Sequence, residues 1–273
     1  MELPVAPQTY QPSADALVRA IKRVEILLAR TGADQIDLEV ATCFVNSNRP
    51  GVGMANFAAE VRMGQSGPDE VLNRIEAHFA SAGTMCHQLL GNDTDWPGDL
   101  ARHAEARGYR RSVGRVYLLR QYALPGSIRS DLQIIPARAA YRQLRPFFEL
   151  ASTEQHALDE AAAGDYAEAF IDHLDEPRQE MFLGRLDGEP VGVVSLVTLG
   201  QIGVIENVYT VPEARSQGVA TTLLAHSLDH CQRALFEQVI LKVNDDNHDA
   251  IRLYESIGFK PAASFVGYHR IAS

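Results

Sequence analysis

The sequence lacks several features that would indicate particular classes of protein. Its 273 residues include only three cysteines, which stand far apart without a CxxC spacing. That pattern excludes a disulfide framework and a cysteine-based zinc site. Residues 1–7 have neither the basic start nor the apolar stretch of a secretory signal, and no apolar run is long enough to span a bilayer. We therefore expect a soluble, cytoplasmic protein without a membrane partner.

The sequence also has fewer positively charged than negatively charged residues. The chain has 25 lysines and arginines against 35 acidic residues, a net charge of −10. This balance disfavours nucleic acid as a partner and suits a cationic or amine-bearing one. Hydrophobic residues make up 46% and charged residues 22%, which is ordinary globular composition for about two domains.

Hydrophobic periodicity and turn residues predict alternating helices and strands, and therefore an α/β layer fold with a mixed sheet. A linker with Pro-Gly at its centre is predicted at residues 121–131. In the first half, helices are predicted near residues 13–31, 68–80 and 98–107, and strands near 36–45, 54–63, 86–90 and 113–120. In the second half, helices are predicted near 138–150, 159–174, 218–235 and 247–257, and strands near 132–135, 181–186, 191–197, 204–211 and 239–243, followed by a terminal strand pair.

The two halves contain a short internal repeat. Residues 101–110 are ARHAEARGYR and residues 250–260 are AIRLYESIGFK. Aligning Gly108 with Gly258 pairs Tyr109 with Phe259, and in both halves a β-rich run follows. The equivalent location in two halves of similar length indicates duplication, although chance can produce a match this short.

Residues 204–222, VIENVYTVPEARSQGVATT, contain the pattern that is most informative about chemistry. A strand ends near Pro212, and a helix begins near Gly218. The first amides of a helix have no internal partners, and glycine lets a phosphate approach the backbone, so an anion cradle is predicted here. Neither GxxxxGK[ST] nor GxGxxG is present. An ordinary helix start is the alternative for the stretch RSQGVA taken alone.

RSQGVA resembles motif A of the GNAT superfamily of N-acetyltransferases, Q/R-x-x-G-x-G/A. Downstream, NHDAIRLYESIGF at residues 247–259 is similar to the family's second block, N-x-x-A-x-x-x-Y-x-x-x-G-F. The two blocks occur in the expected order, and the resemblance covers about residues 132–273. More loosely, the first half resembles the degenerate module of tandem GNAT proteins. The resemblance implies two tandem GNAT-like modules, a degenerate one at residues 1–130 and a catalytic one at 131–273.

The resemblance implies that acetyl-coenzyme A (acetyl-CoA) binds where the strands at 204–211 and 239–243 splay apart. Backbone groups of Val208 and Thr210 would meet the pantetheine arm, and the amides of residues 216–220 would hold the pyrophosphate. Asn247 could bond the pantetheine or simply cap a helix, and an ordinary paired strand is the alternative for 208–210. The implied cofactor-binding residues are Val208, Tyr209, Thr210, Arg215, Ser216, Gln217, Gly218, Val219, Ala220, Thr221 and Asn247. No metal is expected.

Two catalytic residues are suggested. By the resemblance, Tyr254 would donate a proton to the departing thiolate of CoA; the alternative is a core aromatic residue. Glu206 interrupts an apolar strand, where burial tends to raise a carboxyl pKa, and it is the candidate base for the amine. A salt-bridged or edge glutamate is the alternative. Some relatives place the base on the next strand, where Lys242 is a poor match. The reserve candidates for the base are Asp245, Asp246 and Glu180.

The expected function is direct transfer of an acetyl group from acetyl-CoA to a primary amine. A non-catalytic acyl-CoA-binding or regulatory module on the same fold is the alternative. Two further clusters are interpreted as solvated surface rather than as sites: His226, His230 and Cys231 on one helix, and the arginines at 107, 110, 111 and 115. The identity of the acceptor cannot be read from the sequence, and a homodimer is kept open.

Overall fold

The computed structural model describes residues 12–91, 96, 98–120, 128–156 and 158–270. Residues 1–11, and with them the segment tested for a secretory signal, lie outside these ranges, as do residues 121–127 of the predicted linker. Within the described ranges no helix combines the length and the apolar character needed to cross a membrane.

The described residues form seven α-helices and eleven β-strands that alternate along the chain. In the first half these are α1 (Ala14–Ala29), β1 (Asp34–Leu38), β2 (Ala41–Val45), β3 (Phe57–Val61), α2 (Pro68–Ser81), β4 (Gln88–Gly91), α3 (Gly98–Ala106) and β5 (Arg110–Leu119). In the second half they are β6 (Gln133–Pro136), α4 (Tyr141–His156), α5 (Glu160–Asp172), β7 (Gln179–Leu186), β8 (Glu189–Leu199), β9 (Ile202–Thr210), α6 (Val219–Arg233), β10 (Gln238–Asn244), α7 (His248–Ile257) and β11 (Phe259–His269).

All of these strands pair into one mixed sheet, which confirms the predicted α/β class. The strand order is β1-β2-β3-β4-β11-β5-β10-β9-β8-β7-β6. The β3–β4 and β9–β10 pairs are parallel, and the other pairs of the described strands are antiparallel.

The two halves exchange their last strands. β5 of the first half pairs with β10 and β11 of the second, and β11 pairs with β4 of the first. The β5–β11 ladder extends from Arg110 opposite His269 to Leu119 opposite Phe259. Strands β1–β4 on one side of this ladder therefore correspond to β7–β10 on the other. The division at residue 130 stays a prediction about the sequence, since in space neither half completes its sheet alone.

The repeated helix-glycine-aromatic pattern has the same structure in both halves. Gly108 follows α3 with φ 87°, and Gly258 follows α7 with φ 110°, a left-handed conformation that favours glycine. The next residues, Tyr109 and Phe259, are both buried as the chain enters β5 or β11. The match in conformation and position supports the interpretation of the repeat as a duplication.

Two details of the sequence-based prediction are wrong. The strand predicted at 36–45 is two strands, β1 and β2, which turn back on each other at residues 39–40. The terminal strand pair is the single strand β11, whose neighbours come from the first half. Local pattern shows where a chain extends but not which strand it pairs with. The hairpin turn at Asp187-Gly188 is confirmed, with φ values of 50° and 88°.

Helices cover both faces of the second half's sheet, and one of them belongs to the first half. In α1, apolar residues at helical spacing pack against Val116, Val204 and Ile240. The next residues along the two parallel strands, Ile205 and Leu241, face the opposite core beneath α4, α6 and α7. Side chains alternate across a strand, so α1 lies on the reverse face of the β9–β10 pair.

The exchanged strands give a direct test. Residues 131–273 expressed alone lack β5 and α1, so β10 and β11 lose the strand between them and one face of the sheet is uncovered. We expect this fragment to show no cooperative thermal transition by circular dichroism. As a control, a protease site is inserted at residues 121–127 of the full chain and then cut. The two halves should stay associated after this cut, because the exchanged strands remain paired. A fragment that melts cooperatively near the temperature of the full chain would contradict the strand exchange.

Candidate active site

The site begins where the only parallel ladder among the described strands of the second half stops early. β9 and β10 pair from Ile202 opposite Gln238 to Ile205 opposite Leu241, although both strands continue beyond that point. Asn207 has φ 51°, and two residues of β9, Asn207 and Val208, lie opposite a single residue of β8. Such a β-bulge bends its strand. The bend separates the strands, as the sequence predicted.

A cleft of about 630 Å³ opens where the strands separate. We call it the loop-side cleft, because the loop between β9 and α6 forms one wall. Its volume lies in the range typical of small-molecule sites. It is lined by Glu154, Gln155, Val208, Tyr209, Thr210, Ala214, Arg215, Ser216, Gly218, Val219, Ala220, Thr221, Asn247, Asp249, Ala250, Arg252, Leu253 and Tyr254.

The start of α6 has the character of an anion cradle. Gly218 caps the helix with φ 80°, no side chain caps the first turn, and no acidic residue lies in that turn. Ser216 also has a positive φ of 58°. The first-turn amides therefore have no side-chain acceptor, and the positive end of the helix dipole is not neutralised by an acidic side chain of this turn. The Thr210 hydroxyl beside them is buried and has no hydrogen-bond partner among the described residues.

Two predicted cofactor residues use their side chains to hold this loop. Arg215 forms an ion pair with Glu154 of α4 (Nη2–Oε2 2.6 Å), and its Nε donates to the Thr210 carbonyl (3.0 Å). The hydrogen bond from Arg215 lowers the pKa of the Glu154 carboxyl. Gln217 does not line the cleft; its Nε2 donates to the Glu213 carbonyl at 2.7 Å, and its Oε1 accepts from Arg129 at 3.0 Å. Both side chains fix the loop on which the backbone cradle depends.

The corresponding helix of the first half, α2, has no such cradle. It begins after Gly67, has proline at its first position, and carries Asp69 and Glu70 in its first turn. Asp69 also accepts hydrogen bonds from His103 and Arg107, which lower its pKa. Two carboxylates at this helix start oppose the binding of an anion there.

A second pocket of about 240 Å³ lies between the separated strands, and we call it the strand-side pocket. Gln155, Val208, Asn247 and Tyr254 line both this pocket and the loop-side cleft, so the two spaces meet there. The remaining lining residues are Ile205, Glu206, Asn207, Lys242, Val243 and Asn244. Two binding spaces that share one boundary suit a reaction between two substrates.

Tyr254 lies on α7 at this boundary. Its side chain is buried, and its ring packs edge-on against Phe259, with centroids 6.2 Å apart. Burial raises the pKa of the phenol above its usual range, and the charge of Glu206 raises it further. The side chain therefore stays protonated over the physiological pH range and can donate a proton. Tyr254 thus lines both spaces and also belongs to the hydrophobic core, and its role as a proton donor stays a prediction.

Glu206 lines the strand-side pocket. Its Oε1 is buried and has no hydrogen-bond partner among the described residues. Burial raises the pKa of this carboxyl; the Lys242 ammonium opposes the rise, and the Glu25 carboxylate adds to it. Alternation along an undisturbed strand would place Glu206, Val208 and Thr210 on one face, but the bulge at Asn207 interrupts it. Glu206 lines only the strand-side pocket, Thr210 lines only the loop-side cleft, and Val208 lines both.

Asn247 caps a helix. Its Oδ1 accepts from the Ala250 amide at 3.2 Å at the start of α7, while the residue lines both spaces. The reserve bases are not in either space. Asp245 is ion-paired with Arg115 (2.9 Å), Glu180 lies 3.4 Å from His230, and Asp246 lines neither space.

The surface interpretation of the first cluster is correct for His226 and wrong for Cys231. His226 is exposed with its ring edge-on against Phe182, and His230 pairs with Glu180, whereas Cys231 is buried in the hydrophobic core. The structure brings together no group of three or more potential metal ligands among its described residues. Two of the clustered arginines are engaged, Arg107 with the acids of α2 and Arg115 with Asp245.

Several residues that line the cleft carry no recognisable signal in the sequence. Glu154 and Gln155 come from α4, about 50 residues before the motif, and no local pattern marks them. Arg252 of α7 faces the cleft with Asp249 as its ion-pair partner. The alignment of the internal repeat also pairs Arg252 with Arg102, which indicates shared structure rather than a binding role.

Comparison with known proteins agrees with this geometry. The model of the acetyltransferase (GNAT) family matches residues 140–259, from the start of α4 to the start of β11. The second half of the chain contains a GNAT acetyltransferase domain. Members of this family use acetyl-CoA as co-substrate, and the enzyme class of the GNAT domain is acyltransferase.

Two curated relatives resemble the chain over part of its length. An N-alpha-acetyltransferase of Saccharolobus solfataricus is 29% identical over 113 residues, which cover 37% of this chain and 68% of that protein. A mycothiol acetyltransferase of Thermobispora bispora is 31% identical over 170 residues, 49% of this chain and 58% of that protein. The match to the second relative therefore spans less than two thirds of its length. The names of the two relatives refer to different acceptors.

Solved structures resemble nearly the whole chain in fold. A GCN5-related N-acetyltransferase from Kribbella flavida has a TM-score of 0.61 at 17% identity and covers 94% of this chain and 96% of its own. A tandem GNAT protein from the clavulanic acid biosynthesis pathway has a TM-score of 0.52 at 15% identity, with the same two coverages. At this identity the likeness concerns the fold alone, and it agrees with two GNAT-like modules.

The cradle at Gly218 gives a binding prediction. A ligand at about 100 times its dissociation constant stabilises a protein by roughly 2.7 kcal/mol, which raises Tm by several degrees. We expect acetyl-CoA to raise the Tm of the wild type in this way. Gly218→Asp should abolish the rise, because it places a carboxylate in the cradle and a side chain at φ 80°.

The matched control is Gly67→Asp, which makes the same change at the cap of α2, where φ is −74°. This variant should keep the full acetyl-CoA-dependent rise in Tm, measured by differential scanning fluorimetry. A rise that survives in Gly218→Asp and disappears in Gly67→Asp would show that the cradle is in the other half.

Proposed function

We propose that this protein transfers the acetyl group of acetyl-CoA directly to a primary amine. The observation that supports this most strongly is the meeting of two pockets at Val208 and Tyr254, where β9 and β10 separate. The loop-side cleft would hold the acetyl-CoA and the strand-side pocket the amine, so that the two substrates meet at the boundary.

The residues of the loop-side cleft suit the parts of acetyl-CoA. The backbone of residues 208–210 continues past the point where the ladder with β10 ends, so it can bond the pantetheine arm as an added strand would. The amides of residues 216–220, at the positive end of α6, would hold the pyrophosphate. Thr221 lines the cleft and brings a hydroxyl to the same anion.

The chemistry is an acyl transfer that needs one proton acceptor and one proton donor. The amine nitrogen forms a bond to the thioester carbonyl carbon, the carbon–sulfur bond breaks, and the products are an amide and the free thiol. The backbone amide near Val208 would polarise the carbonyl oxygen. An alkylammonium must first lose one proton to the base, the nitrogen loses a second proton as the amide forms, and the departing thiolate gains one, so that one proton is released in total.

Glu206 is the proposed proton acceptor. Glu206 lines the strand-side pocket, and its buried Oε1 has no hydrogen-bond partner among the described residues, so this oxygen keeps an unused capacity to accept a hydrogen bond. Its raised pKa makes the carboxylate a stronger base than an exposed glutamate. Tyr254 is the proposed proton donor, since it borders both pockets and a phenol carries its proton at neutral pH.

The pocket also indicates the class of acceptor. Its ionised groups are Glu206 and Lys242, and Lys242 is paired with Glu25, so the balance of these three is one negative charge. A negative pocket favours a cationic amine. Amide side chains complete its polar lining: Gln155, Asn207, Asn244 and Asn247. We therefore propose a small amine with further polar groups rather than an apolar one.

Replacing Tyr254 by Phe tests the proton donor. General acid catalysis contributes about 10²–10⁴-fold, so we expect kcat to fall by at least ~100-fold while the acetyl-CoA-dependent rise in Tm is retained. The measurement is release of free CoA thiol with an accepted amine. Tyr268→Phe, a buried tyrosine packed on Trp96, is the control and should have normal kcat. Unchanged turnover in Tyr254→Phe would exclude the acid role.

Glu206→Gln tests the base. In the wild type kcat/KM should fall as the pH drops through the raised pKa of Glu206, because the protonated carboxyl accepts no proton. The variant should lose this limb of the pH profile and at least ~100-fold in rate. Glu60→Gln, on the corresponding strand β3, is the matched control and should keep the wild-type profile. A wild-type profile in Glu206→Gln would rule out this base.

The same variant has a readout that does not depend on turnover. Folding raises the pKa of Glu206, so its favourable contribution to stability is complete below the pKa of the unfolded chain. That contribution is lost as the pH rises through the folded pKa. Glu206→Gln should therefore gain stability relative to the wild type as the pH rises, as measured by denaturant titration at several pH values.

A further inference from the structure

Helix α1 of the first half lies under the strands that border the strand-side pocket. Helix α1 packs on the reverse face of the β9–β10 pair through apolar residues that include Val24. Glu25 follows Val24 and lies at the edge of this contact. The first helix of the first half therefore brings this carboxylate to the sheet of the second half.

Glu25 forms an ion pair with Lys242, which lines the strand-side pocket. The Lys242 ammonium donates a hydrogen bond to Glu25 Oε1, and the two form an ion pair. Both side chains are largely enclosed, with 18% of Glu25 and 30% of Lys242 exposed. The Lys242 ammonium also acts on Glu206, whose carboxylate lies close enough to raise the lysine pKa together with Glu25. The Lys242 ammonium therefore pairs with Glu25 and also interacts electrostatically with Glu206, which lines the same pocket.

Glu206 is surrounded by groups from four elements of the fold. β10 contributes the Lys242 ammonium, α1 contributes the Glu25 carboxylate and α7 contributes the Tyr254 phenol. From β8, the residue opposite Glu206 is Ser195, which is uncharged. Although Lys242 is near, Glu206 Oε1 has no hydrogen-bond partner among the described residues, whereas the Lys242 ammonium is bonded to Glu25.

We propose that Glu25 is a positioning residue of the acceptor pocket, which holds the Lys242 ammonium so that Glu206 keeps an unpaired carboxylate oxygen for the incoming amine. The proposal rests on the proposed role of Glu206 as the base. If Glu25 has this role, the first half does more than complete the sheet. It supplies the counter-charge that stops Lys242 from neutralising the base.

Removing either member of the pair should act on Glu206 in opposite directions. In Glu25→Gln, the nearest carboxylate left for Lys242 is Glu206, so an ion pair forms there and the pKa of Glu206 falls. In Lys242→Met, Glu206 loses its neighbouring cation while the Glu25 charge remains, so its pKa rises. A residue that only stabilised the fold would not produce opposite displacements.

The experiment is a pH titration of the Glu206 carboxyl in the full chain. Protein labelled with ¹³C at the glutamate carboxyl carbon is followed by NMR, and the Glu206 signal is the one that disappears in Glu206→Gln. We expect the midpoint of this signal to move to lower pH in Glu25→Gln and to higher pH in Lys242→Met. Neither measurement needs the acceptor or acetyl-CoA.

Asp172→Asn is the matched control. Asp172 pairs with Arg49, and this ion pair also joins the two halves, with exposed fractions of 28% and 20%, but it lines neither pocket. The control should leave the Glu206 midpoint in place. Midpoints that are unchanged, or displaced in the same direction, in Glu25→Gln and Lys242→Met would overturn the proposal. Should Glu25→Gln fail to fold, an unchanged or lowered midpoint in Lys242→Met would overturn it alone.

The titration separates this proposal from the proposed function. If Glu206→Gln remains fully active, the assignment of the base fails, and the positioning role for that base fails with it. If Glu206→Gln is inactive while the two midpoints do not move apart, the base stands and only the role of Glu25 fails. In the supported case, the acidic limb of kcat/KM in Glu25→Gln moves to lower pH together with the NMR midpoint.

Discussion

The early end of the β9–β10 ladder is the constraint on which the rest of the site depends. A parallel pair normally satisfies its backbone groups along its whole length. Here pairing stops after Ile205 and Leu241, and the bulge at Asn207 bends β9 away. The gap leaves backbone for a ligand to pair with and creates two pockets with a common boundary. The start of α6 and the ring of Tyr254 are useful because they border this gap.

The first half matters to this gap although it has no cradle of its own. β5 supplies the neighbour that β10 would otherwise lack, and α1 covers the reverse face of the separated strands. At the start of α2, the acids in the first turn oppose the binding of an anion. A duplicated module can lose its own ligand site in this way and still be needed, because its strand, helix and charge are parts of its partner's structure.

Much of the fold and the cradle could be predicted because the determining interactions are local. Asp187-Gly188 fixes a hairpin through the backbone conformations that these residues allow. Gly218 marks the helix start for the same kind of reason. These features need only a few consecutive residues, and the order of the two motif blocks then indicated the resemblance to the GNAT superfamily.

The features that could not be predicted depend on contacts between distant parts of the chain. The exchange of β5 and β11 is a choice of partner that hydrophobic pattern does not encode. Gln155 lines both pockets because α4 packs beside the loop, and Glu25 meets Lys242 across more than 200 residues. Lys242 looked like a poor match for a catalytic position when taken alone. Its significance appears only with the two carboxylates that act on it.

Hydrogen–deuterium exchange with and without acetyl-CoA tests the central claim most directly, because it reports on the backbone of both halves at once. The separated part of β9, residues 206–210, and the cradle, residues 216–221, should exchange more slowly in the presence of acetyl-CoA. The corresponding segments of the first half, 57–61 and 64–70, should be unaffected. Protection in the first half, or no protection at the β9–β10 gap, would contradict the account.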